Sequence, residues 1–422
     1  MSSPPRSRPE SGCGMGDAMS LWRKSLAGMA WTAGGRVAVR GTQFLFGILL
    51  ARLLTPADFG LVAMLGVFIG VSEMFVDCGF PLALMRKVDR TDNDASTVFW
   101  FSIAMAAACY SALFAAAPAI ARFFGVAELA PIARVVTTGI VFGAVTSVPQ
   151  ALLRIRLEFR TQTLIAVASV VASGTLGVVL AARGWGVWAL VWQGVAWHLS
   201  NVLLLAAAVR WRPRFVFVRS SFREFFSFGW KHLAASFVNA VYFHVYSLVT
   251  GKAFGSVAAG IYTRAQSWAE LLPQVAGEAM INVNYPLLAR LQDDNVALRR
   301  AYDRLTLLSL ALLIPLLGLL AAFAEPIVRV VLGAQWTCCV PYIRLLVLGL
   351  AFEPAMRLYQ NMLYLKGRTD VVLKLEFVQK PICFALVFAA LPFGLAGLCV
   401  AKAASTVFMA ATNMVAARRA TR

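Results

Sequence analysis

Residues 97–121 read TVFWFSIAMAAACYSALFAAAPAIA, a continuous run without a single charged side chain. An α-helix needs about 20 apolar residues to cross the hydrocarbon layer of a bilayer. The run is long enough for that, so it predicts one transmembrane helix. Its apolar residues are continuous rather than alternating with polar ones, which favours a helical bundle over a membrane β-barrel.

Similar apolar runs extend from this stretch towards both ends of the chain. Of the 422 residues, 60% are hydrophobic and 14% are charged, and the mean hydropathy is +0.73. A soluble domain has about a quarter of its residues charged. We therefore predict an all-α integral membrane protein. Its expected transmembrane helices lie near residues 27–51, 59–84, 97–121, 129–152, 161–182, 186–209, 227–251, 257–285, 305–332, 338–364, 370–391 and 394–416.

The basic residues predict how these twelve helices are oriented. The formal net charge is +19, which in a soluble protein would suggest nucleic-acid binding. With the N-terminus inside, 24 Lys and Arg residues fall in the inner loops and tails and 5 fall in the outer loops. Cytoplasmic loops of membrane proteins carry such an excess of positive charge. Both termini are therefore predicted to be cytoplasmic, and no nucleic-acid partner is needed.

The two halves of the sequence resemble each other. ARLLTPADFG at 51–60 and GKAFGSVAAG at 251–260 both follow the first predicted helix of a half, and they lie 200 residues apart. Each half holds six predicted helices, so both halves start on the same side as parallel repeats. We expect lobes at 23–209 and 225–417, joined by a basic cytoplasmic loop at 210–224. Short cytoplasmic tails are expected at 1–22, which is rich in Pro, Ser and Gly and predicted to be disordered, and at 418–422.

Ten basic and six acidic residues fall inside the predicted helices, where each costs at least ~2.5–3.5 kcal/mol on insertion scales. One interpretation is structural. Glu353 with Arg357, and Glu376 with Lys380, form pairs of opposite sign four residues apart. In the same interpretation, Glu73 and Asp77 neutralise arginines on the neighbouring helix.

The other interpretation is a hydrated, positively charged cavity between the lobes that suits an anionic cargo such as a pyrophosphate or an acidic sugar. The acidic residues in it supply sites for a coupling ion. The candidate cargo-binding residues are Arg36, Arg40, Lys231, Arg264, Arg357 and Lys402, and the candidate ion-coupling residues are Glu270 and Glu278.

Signatures of enzymes and of metal sites are missing from the sequence. The seven cysteines and three histidines show no metal-ligand spacing. There is no phosphate-cradling loop and no nucleophile elbow. We therefore predict no metal, no cofactor and no catalytic residue.

Several motifs together resemble the polysaccharide-transport branch of the MOP exporter superfamily. They include LLARLLTPADFGLVAM at 49–64, FVDCGFPLALMRK at 75–87, AAGIYTRAQSWAELLPQ at 258–274 and YPLLARLQDD at 285–294. The resemblance implies a MATE-like bundle of two lobes. Many members have fourteen helices, whereas twelve are predicted here. Relatives often carry Arg and Asp in the helix before the Gly-Lys turn of the second half, and here that stretch is PheHisValTyr at 243–246.

The resemblance also implies a function. Such proteins are alternating-access flippases in the bacterial cytoplasmic membrane. They move undecaprenyl-pyrophosphate-linked oligosaccharide repeat units to the periplasmic leaflet, coupled to an ion gradient, for surface and exopolysaccharide synthesis. Membrane lipids and the polysaccharide polymerase or export machinery are the partners that this function implies.

Three other functions fit the sequence less well. A membrane-embedded glycan polymerase or glycosyltransferase usually has a sizeable outer loop with charged residues, but the predicted outer loops are short and nearly free of charge. A cation or drug exporter of the same superfamily would favour a cavity with surplus acid, whereas bases exceed acids here. A scaffold that transports nothing would have no need of the dispersed intramembrane charges.

Overall fold

A computed structural model describes residues 15–87, 89–289 and 294–420, and within these ranges the chain is helical and contains no β-strand. The helices, in chain order, are α1 (Met15–Leu53), α2 (Pro56–Asp77), α3 (Phe80–Arg86), α4 (Asp92–Phe124), α5 (Leu129–Val136), α6 (Thr138–Ile155), α7 (Phe159–Ala182), α8 (Val187–Ala208), α9 (Arg219–Ala289), α10 (Asn295–Ala322), α11 (Ala324–Val331), α12 (Val340–Leu350), α13 (Glu353–Leu365), α14 (Thr369–Ala390) and α15 (Gly394–Ala420), with short 3-10 helices at Ala334–Cys339 and Leu391–Phe393.

The helices are suited to a bilayer rather than to water. In the described part of the chain, 8 helical stretches are long and apolar enough to cross a membrane. The outer face of α10 illustrates the environment they need, because Leu307, Leu308 and Leu312 are 61–69% exposed. A protein that exposed such a row of leucines to water would aggregate, whereas lipid tails solvate these side chains well. The protein is therefore a multi-pass membrane protein, as predicted.

The predicted segments coincide in position with the helices, but several of them are broken in the structure. The segment 59–84 divides into α2 and α3 because Cys78 (φ 43°) and Gly79 (φ 69°) are left-handed. The segments 227–251 and 257–285 are the two arms of α9, which bends at Gly255 (φ 84°). The arms are residues 219–254 and 256–289, called here the first and second arms. The number of membrane crossings and the six-helix repeats stay predictions.

The turn between α1 and α2 shows why the motif TPAD occurs at 55–58. Pro56 begins α2, where a missing N–H costs nothing. Thr55 caps the helix by accepting a hydrogen bond from the Asp58 N–H, and the Asp58 carboxylate accepts one from the Thr55 N–H at 2.9 Å. This reciprocal pair is a capping box. It fixes the start of α2, which follows the end of α1 after two intervening residues.

Helix α2 packs against α9 along a seam that joins the two halves of the chain. A Cβ added to Gly60 would lie 1.7 Å from the Ser256 carbonyl oxygen, and a Cβ added to Gly260 would lie 1.8 Å from that of Pro56. Only glycine permits so close an approach of the two backbones. Residues 200 apart in the chain thus take equivalent places in the crossing.

At the far end of the seam, the segment that connects the halves is fixed to the first half. Residues 209–218 are not helical. The Trp100 indole N–H donates to the Arg214 carbonyl at 2.8 Å, and the backbone N–H groups of Arg214 and Val218 donate to Ser96 Oγ and Thr97 Oγ1. This segment is called here the connector.

Several predicted loops and tails are shorter than expected. Helix α9 begins at Arg219, inside the predicted loop 210–224, where no glycine or proline occurs between Pro213 and Gly229. Helix α1 begins at Met15, inside the predicted tail 1–22, and α15 continues to Ala420. Residues 1–14 and 421–422 lie outside the described part of the chain.

Candidate functional site

A cavity of about 740 Å³ lies against one face of α1. Arg36, Arg40 and Gln43 line it. They are spaced four and three residues apart, which places them on the same side of a helix. Arg154, in the last turn of α6, adds a third guanidinium. The described lining also includes Gln162 and Thr163 of α7, and it contains no aspartate or glutamate.

A second cavity of about 540 Å³ continues from the first and shares Gln43 with it. Its lining includes Gly47, Gln193 and Trp197, and the side chain of Arg264 from the second arm of α9. From Arg36 to Gly47 the path along α1 is about 16 Å at 1.5 Å per residue. The two cavities together are called here the basic cleft.

Arg264 has an unusual environment for a half-buried cation. Its guanidinium lies over the Phe59 ring at 3.9 Å from the centroid, and 5.7 Å from the centroid of Trp336. Aromatic faces attract a cation but do not neutralise it. No carboxylate of the described residues lies within ion-pair distance of Arg264. This guanidinium is therefore available to an anionic group in the cleft.

Arg40 connects the cleft to the second half of the chain. Its Nη1 donates to Gln274 Oε1 at 3.4 Å. Gln274 Nε2 in turn donates to Glu270 Oε2 at 3.2 Å, and Gln266 Nε2 donates to Glu270 Oε1 at 2.6 Å. The buried Glu270 carboxylate is thus held by two amides of its own helix, one of which contacts Arg40.

Five further intramembrane charges lie on α13, α14 and α15. Arg357 pairs with Glu353 at 2.6 Å and Lys380 pairs with Glu376 at 3.4 Å, so both predicted pairs are confirmed. These four residues and Lys402 are called here the paired cluster. Both lysines are buried, at 6% and 7% exposure.

Aromatic rings surround the lysines of this cluster. The ammonium of Lys380 lies 4.0 Å from the ring centroid of Tyr242, and that of Lys402 lies 5.3 Å from it and 5.1 Å from Tyr246. Glu353 Oε2 and Glu376 Oε2 are buried without a hydrogen-bond partner in the described part of the chain. Glu376 Oε2 is the oxygen that pairs with Lys380 at 3.4 Å, so Glu353 Oε2 is the acceptor of this cluster that has no polar contact among the described residues.

The predicted site residues thus divide into two groups. Arg36, Arg40 and Arg264 line the basic cleft, whereas Arg357 and Lys402 belong to the paired cluster. The side chains of Lys231 and Glu278, both on α9, lie outside the described residues.

The sequence did not single out Arg154, Phe59 or Trp336. The apolar pattern predicts a helix that ends at 152 and so places Arg154 in an inner loop, whereas α6 continues to Ile155. Phe59 and Trp336 meet Arg264 only through tertiary packing, since they come from distant parts of the chain.

Contacts between the halves lie beside the end of the cleft that is lined by Leu50 and Arg264. The Trp336 indole N–H and the Gln335 amide each donate to the Ala51 carbonyl at 2.6 Å, and Gln335 also donates to Leu54 O at 3.1 Å. Arg52 Nε donates to the Val331 carbonyl at 2.8 Å. The last carbonyls of a helix have no partners within it, so the second half caps α1 here. These contacts are called the latch.

An ion-pair bridge lies at the opposite end of the molecule. Lys87 Nζ contacts Asp94 at 3.2 Å and Glu224 at 3.1 Å, and so joins α3, α4 and α9. Desolvation by itself would lower the pKa of Lys87. The hydrogen bonds to Glu224 and Asp94 outweigh it, and the pKa of Lys87 is raised above 10.5.

The described residues contain no group of three or more His, Cys, Asp or Glu side chains that could hold a metal ion. Guanidinium groups and amides line the cleft, and the Glu270 carboxylate is linked to it through Gln274 and Arg40.

Comparison with known proteins places this arrangement in a family. A family model described as polysaccharide biosynthesis protein matches residues 49–341. The chain is 27% identical over 321 residues to the succinoglycan biosynthesis transport protein ExoT of Rhizobium meliloti, covering 76% of this chain and 65% of that one. It is 26% identical over 355 residues to the teichuronic acid biosynthesis protein TuaB of Bacillus subtilis, covering 83% and 73%. The matched part thus spans about two thirds of these longer relatives.

Solved structures show the same fold. The lipid II flippase MurJ in an inward closed conformation superposes with a TM-score of 0.73 at 13% identity, covering 90% of this chain and 86% of that one. An inward-facing multidrug resistance MATE family transporter of the MOP superfamily gives a TM-score of 0.67 at 16% identity, covering 89% and 94%. The fold is therefore that of the MOP superfamily.

Proposed function

Because the chain belongs to the polysaccharide biosynthesis protein family, in the polysaccharide-transport branch of the MOP superfamily, we propose that it is a flippase for undecaprenyl-pyrophosphate-linked oligosaccharide repeat units. One matched relative is named a biosynthesis transport protein, and one solved structure of the same fold is a lipid II flippase. The cargo moves from the cytoplasmic to the periplasmic leaflet of the bacterial cytoplasmic membrane, for surface or exopolysaccharide synthesis.

The proposed topology has twelve crossings in two six-helix lobes with both termini in the cytoplasm. The excess of basic residues in the predicted inner loops supports this orientation. The latch is then periplasmic, and the Arg36 end of the basic cleft faces the cytoplasm, where repeat units are assembled.

The observation that carries the proposal is the charge of the basic cleft. Arg36, Arg40, Arg154 and Arg264 line it, and its described lining has no carboxylate. A guanidinium presents paired donors that match the oxygens of a phosphate. A pyrophosphate therefore finds strong partners along the whole cleft, whereas a cationic drug would be repelled.

The uncharged lining suits the sugar part of the cargo. Gln43, Gln162 and Gln193 carry amide groups that both donate and accept hydrogen bonds. Sugar hydroxyls need both kinds of partner. Trp197 adds an apolar face of the kind on which sugar rings rest. The cleft therefore combines pyrophosphate recognition with a surface that tolerates many sugars.

Transport requires the closed end to open while the other end closes. The latch holds the periplasmic end shut with hydrogen bonds between the halves, including the four given above, and water can replace each of them. Alternating access then consists of breaking the latch and closing the Arg36 end around the cargo.

We also propose ion coupling through Glu270. Its position supports this, because Gln274 connects it to the cargo-binding Arg40. An ion that binds Glu270 competes with the amides of Gln266 and Gln274 for the carboxylate oxygens, and so changes the contact between the halves. Lys402, Arg357, Lys231 and Glu278 remain predicted contributors. A glycan polymerase or glycosyltransferase is the alternative, and it has no catalytic group among the described cleft residues.

The proposal is tested in a strain that lacks this gene and has no other flippase. Lipid-linked repeat units should accumulate on the cytoplasmic leaflet, and polymer export should stop. If export continued normally, the proposed function would be wrong.

Variants tested in the same strain locate the cargo site. Arg264→Gln should lower transport at least tenfold at normal protein level, because a charge-assisted hydrogen bond contributes about 1.5–3 kcal/mol. Arg344→Gln is the matched control, since Arg344 donates to the Ala321 carbonyl away from the cleft. Equal loss in both variants would exclude a specific role for Arg264.

A further inference from the structure

A third cavity, of about 550 Å³, lies between α14 and α15 and is separate from the basic cleft. It is at the end of the bundle where α14 begins and α15 ends. Most of its wall is apolar. The lining residues are Arg368, Val371, Leu375, Ala411, Thr412, Val415, Ala416, Arg419 and Ala420. It is called here the α14–α15 groove.

Two arginines lie at one end of this groove. Arg368 immediately precedes α14, and Arg419 is in the last turn of α15. Both side chains are exposed, and no carboxylate of the described residues pairs with either. The neighbouring Arg418, in contrast, is paired with Asp303 at 3.1 Å.

The position of Arg368 increases the positive potential at this end. The N-terminus of a helix carries about half a positive charge, so a cation there is unfavourable by itself. Arg368 occupies the N-cap of α14, and Arg419 lines the same cavity. An anion bound between them would relieve this repulsion.

Farther along the groove from the arginines, the wall consists of apolar side chains that can contact a hydrocarbon chain. Val371 and Leu375 lie one turn apart on α14, and Val415 and Ala416 face the same cavity from α15. Leu375 is about 10 Å from Arg368 along the helix axis, at 1.5 Å per residue. The groove therefore has a cationic end at headgroup depth and an apolar body that extends into the bilayer.

We propose that the α14–α15 groove binds an anionic phospholipid. Its phosphate lies between Arg368 and Arg419, and the upper part of one acyl chain lies along Val371, Leu375 and Val415. A free phosphate would leave the apolar wall uncovered, and a zwitterionic lipid would bring a second cation to the arginines. Basic pockets between membrane helices bind anionic headgroups in this way.

The chain contains an internal comparison for this site. A cavity of about 530 Å³ between α2 and α4 has an apolar wall that includes Val67, Leu113 and Phe123, and its described lining has no basic residue. Such a cavity accepts an acyl chain without distinguishing headgroups. The arginines are thus the feature that makes the α14–α15 groove selective.

The test uses the full purified chain in detergent, with dioleoylphosphatidylglycerol and dioleoylphosphatidylcholine added separately and bound lipid counted by native mass spectrometry. The wild type should retain phosphatidylglycerol in preference to phosphatidylcholine. Each basic residue near a headgroup contributes about 1 kcal/mol. Arg368→Gln/Arg419→Gln should therefore weaken phosphatidylglycerol binding by about 30-fold, with phosphatidylcholine binding unchanged.

Two further variants make the result decisive. Arg300→Gln/Arg304→Gln removes the same charge from exposed positions on α10 that line none of the cavities described above, and it should bind as the wild type does. Ala416→Trp fills the groove while leaving both arginines, and it should lose the retained lipid.

The proposal would be overturned by equal retention of the two lipids, by equal loss in the α10 variant, or by unchanged binding in Ala416→Trp. A dimer of the chain in place of bound lipid would also overturn it, because a second copy would then occupy the groove. Lipid counting does not depend on transport, so failure here leaves the proposed flippase function intact.

Discussion

The latch makes a quantitative prediction for Trp336→Phe. Trp336 is fully buried and donates its indole N–H to the Ala51 carbonyl at 2.6 Å. Phenylalanine keeps an aromatic ring in the site but removes the donor. The Ala51 carbonyl still accepts a hydrogen bond from Gln335, so the substitution leaves no orphaned acceptor. The loss is one hydrogen bond, about 1 kcal/mol, and part of one ring, about 1 kcal/mol more.

A loss of about 2 kcal/mol from the closed state corresponds to a shift of about 30-fold towards the open latch. Maleimide labelling of a cysteine at position 51 measures this shift, because Ala51 is fully buried while the latch is closed. The variant Ala51→Cys is made together with Cys338→Ser, since Cys338 is exposed nearby. A membrane-impermeant maleimide should label it far faster when Trp336→Phe is added.

Trp185→Phe provides the matched control, because Trp185 is 51% exposed and takes no part in the latch. Labelling should not change in that variant. If Trp336→Phe labelled at the wild-type rate, or if both substitutions raised the rate equally, the latch would not be what closes the cleft.

Three other predictions test the seam, the ion pair of Glu376 with Lys380, and the ion-pair bridge at Lys87. Gly60→Ala should prevent stable folding, since its Cβ would overlap the Ser256 carbonyl oxygen. Gly143→Ala is the control: a Cβ there has no atom within 4 Å, so thermal unfolding in detergent should show a neutral or slightly stabilising effect. Equal effects of the two substitutions would contradict the close packing of α2 against α9. Glu376→Gln should destabilise by about 3–5 kcal/mol because it leaves Lys380 buried and unpaired, and Glu376→Gln/Lys380→Met should recover most of that loss; no recovery would contradict the pairing. Lys87→Met should lower the melting temperature at pH 7. The pKa of Lys87 is raised on folding, so its contribution is complete below about pH 10 and declines only as the pH rises through the raised value; a difference that already disappeared between pH 6 and 8 would contradict the bridge.

The sequence was informative wherever a property depends on one helix alone. Apolar runs located the helices, and a spacing of four residues identified the pairs of Glu353 with Arg357 and of Glu376 with Lys380, because helical geometry fixes which side chains are neighbours. The capping box of Thr55 and Asp58 is also local. The interruption at Gly255 falls between the predicted segments 227–251 and 257–285, whereas the break at Cys78 lies inside the segment 59–84, since an apolar run shows where a helix lies but not where its backbone turns left-handed.

The site was predictable only in part, because its geometry depends on contacts between distant helices. Charge counting selected Arg36, Arg40 and Arg264 together with Arg357 and Lys402, but it could not separate the cleft from the paired cluster. Only packing brings Phe59 and Trp336 to the guanidinium of Arg264. Helix spacing carries no information on such contacts.

The connector determines how strong the contacts between the halves need to be. Hydrogen bonds to Ser96, Thr97 and Trp100 fix it to α4, so α9 starts directly at the surface of the first half. A tether this short holds its two ends at a high effective concentration, in the millimolar range or above. The latch and the seam therefore act as intramolecular associations that need little affinity of their own. In the proposed transport cycle, the latch can therefore open and re-form while the seam and the connector keep the two halves together.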